Sequence, residues 1–289
     1  MQNVKWKGKS YGGYFGNWCF AMLLKAGLAP AYLLLVFVAF YFAYFRPSLN
    51  AISRNYLKMV FGKKPAYFSL KVYLHFLNFG ICLLDKAAYH LKSKKIKIAN
   101  LCGKEISDFV KKGGSCVVLT AHFGGWAISA DTLKQYKCPV KILGTQTEDG
   151  KIASLWEKSS KIDALKSVGG YEDEFASLAA YKELKNGTII AIHSDRYAGG
   201  KYIETPFLGK KIKFSIAPFA LAMAARKGII QTLCVRKGLC RYQMLELCSA
   251  QSLKMHADIN EFAQMCVRQL ECYVRKYPYQ WFNFYDYWE

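Results

Sequence analysis

The chain has 289 residues, enough for one α/β domain of ordinary size with an appendage, or for two small domains. Hydrophobic residues make up 53% and aromatic residues 16%, so a large core is available and global disorder is excluded. The formal net charge of +21 indicates an anionic partner. Charge alone does not choose among a phospholipid surface, a nucleic acid and a phosphorylated carrier or substrate.

The ten cysteines are scattered along the chain. They form no C-x-x-C pair, and no Cys/His cluster has the spacing of a zinc site. Most of them lie in apolar runs, where a free cysteine behaves as a small hydrophobic residue. The pattern favours a reducing compartment and predicts no metal site.

An apolar segment runs from Ala26 to Phe45, twenty residues without a charge. Because this length suffices to cross a hydrocarbon core of about 30 Å, we expect a membrane-embedded or membrane-dipping helix. The alternatives are a buried core helix and a helix lying in the membrane interface. Basic residues are slightly more numerous after the segment than before it, so the positive-inside tendency predicts that the bulk of the chain is cytoplasmic.

Downstream of this segment, hydrophobic periodicity predicts helices that alternate with short apolar strands. Strands are predicted at 115–121, 139–144, 188–192, 229–235 and 242–247, and helices at 65–91, within 98–110, from 126, and at 151–166, 176–184, 217–227 and 260–276. This alternation predicts an α/β fold with a mostly parallel central sheet flanked by helices.

The strand at 115–121 meets the next helix at His122, which is followed by Gly124 and Gly125. In open α/β sheets, ligands bind at the carboxyl ends of the strands. A histidine there suits a general base, and we expect N–H groups near the two glycines, at the start of the helix, to stabilise an oxyanion, as acyl transfer requires. The alternative is a structural histidine, which a single histidine more often is.

A second polar group follows the strand at 188–192 and includes His193, Asp195 and Arg196. Parallel strands open on one edge, so Asp195 and Arg196 are expected on the same side of the sheet as His122. Arg196 offers a planar fork for a phosphate or carboxylate, and Asp195 is expected to position Arg196 or the acceptor. The alternative is a solvated hairpin with one structural salt bridge, and His193 is equally compatible with a structural role.

The segment from His122 to Trp126 resembles the His-x4-acid motif of the lysophospholipid acyltransferase superfamily, in the form His-Phe/Leu-Gly-Gly/Asn-Trp-Glu of bacterial lipid A biosynthesis acyltransferases. His122, Gly124, Gly125 and Trp126 match this motif, whereas Ala127 stands in place of the acid. A later block resembles the family as well. Its matching residues are Asp195, Arg196, Gly199, Phe207, Gly209, Phe214 and Pro218. The aromatic tail from Gln280 to Trp288 resembles the family's closing segment.

Ala127 cannot orient the imidazole of His122 as the family's Glu does. By analogy with the loss of the orienting carboxylate of a Ser-His-Asp triad, the penalty is up to about 10⁴ in rate. Three explanations are open: an engineered change, a natural loss of catalysis, and replacement of the acid by Asp131 or Asp195. The first two are favoured, because nothing in the sequence spacing restores the carboxylate.

The resemblance implies a membrane-associated acyltransferase that moves a fatty acyl group from acyl carrier protein or coenzyme A to a lipid or glycolipid acceptor. It implies His122, position 127 and Asp195 as catalytic positions, and no metal or redox cofactor. Gly124, Gly125, Trp126, Arg196, Gly199 and Gly209 are the implied substrate-binding residues. Residues 1–64 would form the basic arm and membrane helix, and 65–289 the acyltransferase domain, on the cytoplasmic side of the bacterial inner membrane.

Two other functions compete with an active enzyme. A non-catalytic lipid-binding protein derived from an acyltransferase would keep the acyl slot without turnover, as Ala127 suggests. Nucleic-acid binding would use the positive charge. It is disfavoured because it leaves the apolar N-terminal segment without a role and because no nucleic-acid-binding motif is present.

Overall fold

The computed structural model describes most of the chain from residue 27 onward. The described residues are 27–62, 66–91, 93–100, 106, 108–109, 111, 114–136, 138–145, 163–167, 174–197, 199–251, 253–254, 256–284 and 287–288. The N-terminal basic arm and most of the helix expected at 151–166 lie outside these residues.

Seven α-helices and nine strands make up the described part of the chain. The helices are α1 (Leu28–Phe45), α2 (Pro47–Phe61), α3 (Phe68–His90), α4 (Trp126–Ser129), α5 (Glu174–Lys185), α6 (Ala217–Ala225) and α7 (His256–Lys276). The strands are β1 (Lys97–Asn100), β2 (Cys116–Thr120), β3 (Val140–Thr145), β4 (Asp163–Ser167), β5 (Ile189–His193), β6 (Tyr202–Phe207), β7 (Lys210–Ser215), β8 (Gly228–Gly238) and β9 (Arg241–Ala250).

Seven strands form one sheet in the order β1-β9-β8-β2-β5-β3-β4, and β6 and β7 form a separate hairpin. Every pairing in the large sheet is parallel except that of β8 with β9. The expected mostly parallel α/β fold is therefore confirmed.

The central strands β2 and β5 are mainly apolar because both faces of the sheet are covered. Val117 and Leu119 of β2 belong to the buried cluster that includes α6 and α7, whereas Cys116 and Val118 belong to the cluster on the opposite face. All five residues of β2 are buried. The sheet therefore lies in the middle of the core, and its edges are the places where polar side chains reach solvent.

Three local predictions differ from the structure. Residues 163–167 form strand β4, so the end of the helix expected at 151–166 is wrong; its pairing with β3 outweighs the local helical pattern. The helix expected from Trp126 ends after one turn, at Ser129, and continues as a 3₁₀ helix over Ala130–Tyr136. Strand β1 and helix α2 were not predicted.

Helix α1 has one face packed on the protein and one face exposed. Its packed face carries mainly small side chains at every fourth position, and these lie close to α3. They are Ala31, Leu35, Ala39 and Ala43. Its exposed face is apolar and aromatic, with Leu33, Phe37, Phe40, Tyr41, Tyr44 and Phe45.

Among the described helices, α1 and α3 are long and apolar enough to cross a membrane. Helix α3 nevertheless contributes buried polar side chains to the protein interior. Asp85 accepts a hydrogen bond from the hydroxyl of Tyr242 at 2.6 Å and another from that of Tyr32 on α1. This contact ties α1 to both α3 and strand β9, and it identifies α3 as part of the core.

Candidate active site

The edge formed by the carboxyl ends of β2 and β5 brings His122 and Asp195 together. The two strands are parallel neighbours in which Thr120 pairs with His193. His122 lies two residues after Thr120, and Asp195 lies two residues after His193. The Nδ1 atom of His122 lies 2.8 Å from Oδ1 of Asp195. The expectation that both groups share one edge of the sheet is confirmed, and the structure adds a direct contact that the sequence did not provide.

Asp195 fixes both the position and the tautomer of the imidazole. Its Oδ2 accepts the backbone N–H of His122 at 2.9 Å, while its Oδ1 faces Nδ1 of the same residue. Because a carboxylate accepts, Nδ1 carries the proton and Nε2 is the nitrogen that can take up another one. Asp195 is fully buried, whereas the side chain of His122 remains 19% exposed. The buried carboxylate therefore holds the imidazole in place, while part of the imidazole remains accessible to solvent.

Burial keeps His122 neutral, and the charges around Asp195 keep that carboxylate ionised. Burial lowers the pKa of His122 below its usual value; Asp195 opposes this shift and Arg196 adds to it. Burial alone raises the pKa of Asp195, but His122 and Arg196 outweigh it and hold that pKa well below the ordinary range. A neutral imidazole beside a carboxylate is the resting state that a general base needs.

His193 lies against the candidate base. The centroids of the rings of His193 and His122 are 4.6 Å apart. Burial, followed by the charges of His122, Arg196 and Lys86, lowers the pKa of His193 to about 3, against the opposing effect of Asp195. The second imidazole is therefore neutral at physiological pH and does not repel a proton on His122.

The N–H groups of Gly124 and Gly125 are both hydrogen-bonded within the protein. The N–H of Gly124 donates to the carbonyl of Gln280, and that of Gly125 donates to the carbonyl of Cys234, each at 2.8 Å. Both donors are thus used inside the protein, which leaves neither of these two N–H groups for an oxyanion. A role for other N–H groups near the two glycines stays a prediction. The structure requires glycine for space, because a Cβ on Gly124 would lie 2.1 Å from the carbonyl oxygen of Cys234 and one on Gly125 would lie 2.6 Å from the ring of Tyr242.

Trp126 forms part of an aromatic wall beside His122. Its ring stacks on Phe79 of α3 with centroids 5.8 Å apart, and it lies 5.3 Å from the ring of Phe282. The rings of Trp126 and His122 are 6.2 Å apart. The structure therefore places Trp126 beside His122, and its role in substrate binding stays a prediction.

Arg196 lies near His122 and Asp195 and contacts the C-terminal segment, residues 280–284. An N–H of its guanidinium donates to the carbonyl of Phe282 at 3.3 Å. Arg196 is half-buried, and its charge acts on both His122 and Asp195. It supplies a fixed positive charge at the edge of the sheet.

The two remaining glycines of the predicted site shape the backbone. Gly199 has a φ of 124° in the loop that leads from Asp195 to β6, a conformation that favours glycine. Gly209 has a φ of 84° and lies in the exposed turn between β6 and β7, where a Cβ would meet nothing within 4 Å. Their role in substrate binding stays a prediction.

Ala127 is half-buried in α4, and the structure provides a carboxylate from another element. Asp131 lies in the 3₁₀ helix, where its charge acts on Tyr89. Asp195 is the acid that contacts His122.

The C-terminal segment is a part of the site that sequence reasoning treated mainly as a packed end. The indole Nε1 of Trp281 donates to Oδ2 of Asp195 at 2.9 Å. The carbonyls of Gln280 and Phe282 contact the loop and Arg196, respectively. The only sequence signal for this role was the resemblance of the tail to the family's closing segment.

A buried carboxylate that holds an imidazole at the carboxyl edge of a parallel sheet is an arrangement that suits acid–base catalysis. A sequence model of the family described as bacterial lipid A biosynthesis acyltransferase matches residues 6–289. The chain therefore belongs to the bacterial lipid A biosynthesis acyltransferase family. Membership makes it an acyltransferase of the lipid A type in general, and this family is typically membrane-associated. A search of curated proteins found no match.

Proposed function

We propose that the protein transfers a fatty acyl group from an acyl carrier protein or coenzyme A thioester to a lipid or glycolipid acceptor, with His122 as general base. The observation that carries this proposal is the 2.8 Å contact between His122 and the buried Asp195. Family membership supports the reaction class. The aromatic wall at Trp126 offers an apolar surface beside the base for an acyl chain.

The proposed reaction follows from the arrangement of His122 and Asp195. Nε2 of His122 takes the proton of the acceptor's hydroxyl or amine, whose oxygen or nitrogen forms a bond to the thioester carbonyl carbon. The tetrahedral intermediate then breaks its C–S bond, and the leaving thiolate takes the proton from the imidazolium. Asp195 stabilises the imidazolium while it carries the extra proton. Arg196 supplies positive charge for the oxyanion or for a phosphate of either substrate.

We further propose that this form is active and that Asp195 fulfils the orienting role of the family's Glu. The geometry supports this because both oxygens of Asp195 face His122 and its burial keeps the carboxylate from water. An additional acid at position 127 is then not needed to fix the tautomer.

Acyl-transfer assays of four forms test the proposal. Radiolabelled acyl carrier protein thioesters of C12 to C16 chains are incubated with a total bacterial lipid extract, and products are identified by mass spectrometry. We expect turnover by the natural form, a loss of roughly 10²- to 10⁴-fold in Asp195→Asn, and loss of activity in His122→Gln. The Ala127→Glu form should change the rate by less than about tenfold.

Two results would reject parts of the proposal. Turnover that appears only in Ala127→Glu would mean that the natural form lacks its catalytic acid and that Asp195 does not replace it. Lipid binding without turnover in all forms would support the second candidate, a non-catalytic lipid-binding protein, which the presence of Ala127 favours.

We propose that the site faces the cytoplasm at the inner membrane, with α1 inserted in the bilayer. The exposed aromatic face of α1 supports membrane insertion, and the basic hairpin β6–β7 supports contact with phosphates of the carrier or of lipids. Its exposed lysines are Lys201, Lys210, Lys211 and Lys213. Accessibility of cysteines placed on either side of α1 to a membrane-impermeant thiol reagent in intact cells tests this orientation; labelling of the catalytic domain without permeabilisation would contradict it.

A further inference from the structure

The C-terminal segment pairs with the loop that carries the candidate base. The N–H of Gly124 donates to the carbonyl of Gln280, and the N–H of Phe282 donates to the carbonyl of His122, each at 2.8 Å. Phe123 and Trp281 thus form a short antiparallel bridge. The side chain of Gln280 extends the contact to β8, since its Oε1 accepts the N–H of Arg236 at 2.8 Å and its Nε2 donates to the carbonyl of the same residue at 2.9 Å.

This pairing places the indole of Trp281 on the carboxylate of Asp195. Three donors reach that carboxylate: the Nδ1 and the backbone N–H of His122, and Nε1 of Trp281 at 2.9 Å. Two of these three donors belong to His122. The indole is therefore the contact that holds Asp195 from a third direction and fixes the rotation of its carboxylate.

Trp281 is itself held rigidly. It is 1% exposed, and its ring meets those of Tyr56, Phe207 and Tyr287 edge-on at 5.1 to 5.4 Å. Its carbonyl lies 2.9 Å from Nε2 of His75, whose Nδ1 lies 2.8 Å from the hydroxyl of Ser53. A continuous set of hydrogen bonds therefore runs from α2 through α3 and the C-terminal segment to the candidate base.

We infer that Trp281 is a positioning residue for acyl transfer, which holds Asp195 so that the carboxylate keeps the imidazole of His122 in its productive orientation. The inference rests on the proposed function. A carboxylate buried in protein needs donors for its lone pairs, and a missing donor lets it rotate toward another partner. Displacement of a base by about 1 Å is costly because proton transfer requires hydrogen-bond distance.

The test compares Trp281→Phe with Trp288→Phe in the full-length chain. Both changes replace an indole by a phenyl ring in the same aromatic tail, and the two indoles lie 6.4 Å apart, but the indole N–H of Trp288 bonds to no residue that the structure describes. We expect kcat to fall roughly 10- to 100-fold in Trp281→Phe with KM changed by less than about threefold. Trp288→Phe should keep kcat within about threefold of the natural form.

The pH dependence of kcat/KM separates positioning from packing. With one donor fewer, Asp195 presents more negative charge to the imidazolium, which raises the pKa of His122. The acid limb of the profile should therefore move to higher pH in Trp281→Phe and stay in place in Trp288→Phe. A role in packing alone would lower the melting temperature without moving the acid limb, and that result would overturn the inference.

An NMR measurement keeps the inference testable if the variant does not fold or the natural form shows no turnover. In the natural chain labelled with ¹⁵N-tryptophan in detergent, the indole signal of Trp281 reports on its acceptor. We expect this signal to move upfield in Asp195→Asn, because a neutral amide oxygen is a weaker acceptor than a carboxylate. Absence of turnover would reject the proposed function, whereas an unchanged indole signal in Asp195→Asn would reject the role of Trp281.

Discussion

At the scale of single residues, the site depends on how burial and nearby charges set the pKa values of neighbouring side chains. Asp195 is held ionised by the charges around it, while burial keeps His122 and His193 neutral. The result is a neutral imidazole, His122, that contacts both an ionised carboxylate and a second neutral imidazole. Two glycines allow this arrangement, because their lack of Cβ lets the loop approach β8 and Tyr242.

The lowered pKa of His122 predicts the acid limb of activity. The base must be neutral, so kcat/KM should be constant from pH 8 down to about 6.5, the ordinary pKa of histidine, and should fall only at lower pH. Asp195→Asn removes a charge that raises this pKa, so the residual activity should keep its acid limb at an even lower pH. An acid limb above pH 7 in the natural form would contradict the prediction.

Replacement of Gly124 should destabilise the protein. In Gly124→Ala the new Cβ lies 2.1 Å from a backbone oxygen at a φ of 53°, so both overpacking and left-handed strain oppose folding. We expect a loss on the order of 3 kcal/mol in the free energy of unfolding, measured by urea denaturation. Gly238→Ala is the control, because its Cβ would meet nothing within 4 Å. Equal stability of the two variants would show that the loop does not approach β8 this closely.

At the scale of secondary-structure elements, buried polar contacts join pieces that are distant in sequence. His75 of α3 bridges Ser53 of α2 and the carbonyl of Trp281. Asp85 of α3 joins α1 to β9 through two tyrosines. Helix α3 therefore connects the N-terminal helices with both the sheet and the C-terminal segment.

His75 predicts a loss of stability in mild acid. Burial lowers its pKa to about 4, against a small raising effect of its bond to Trp281. Between pH 6.5 and about 4, His75 takes up a proton in the unfolded chain but not in the native protein, so its contribution to the free energy of unfolding is greatest above pH 6.5 and falls by up to about 3 kcal/mol on acidification. Urea denaturation from pH 7 to 4 measures the slope. The slope should be smaller in His75→Gln, and a slope unaffected by this substitution would contradict the role of His75.

The exposed face of α1 predicts membrane binding. Phe37, Phe40 and Phe45 are 50% to 65% exposed, and each side chain gains about 1.5 kcal/mol or more when an apolar phase covers it. Replacing all three by Ser should weaken binding to lipid vesicles by roughly 10³-fold or more in a flotation assay. Phe175→Ser on α5 is the control, because this side chain is 85% exposed on another element. Equal loss in the control would mean that membrane contact is not specific to α1.

At the scale of the whole molecule, the net charge of +21 acts together with the apolar face of α1. The first attracts anionic surfaces over about a Debye length, and the second holds the protein once it has arrived. The combination suits an enzyme whose acceptor resides in a membrane and whose acyl donor is a charged soluble molecule.

The charge predicts that salt weakens binding to anionic membranes. Affinity for vesicles with 30% phosphatidylglycerol should fall by at least tenfold between about 50 mM and 500 mM salt, because screening shortens the reach of the lysines. Binding to neutral vesicles depends on α1 and should change much less. A co-sedimentation assay measures both. Identical salt dependence on the two kinds of vesicle would show that the charge serves another partner.

The sequence by itself determined the alternation of strands and helices, and thereby the parallel sheet and the edge at which His122 and Asp195 lie. It did so because apolar periodicity and turn residues are local properties of the chain. The prediction from local pattern was wrong at β4, where pairing with β3 outweighs the local helical preference. It was also wrong at the short α4, which packs against α3. The family resemblance added the reaction class.

Only the tertiary structure decided how the base is held. Asp195 is 73 residues from His122, and Trp281 is 86 residues from Asp195, so their contacts depend on strand register and side-chain rotation that no local pattern encodes. The same holds for the N–H groups of Gly124 and Gly125, whose partners come from the C-terminal segment and from β8. Asp195 reaches His122 across the edge of the sheet, because folding brings the ends of two parallel strands to one place.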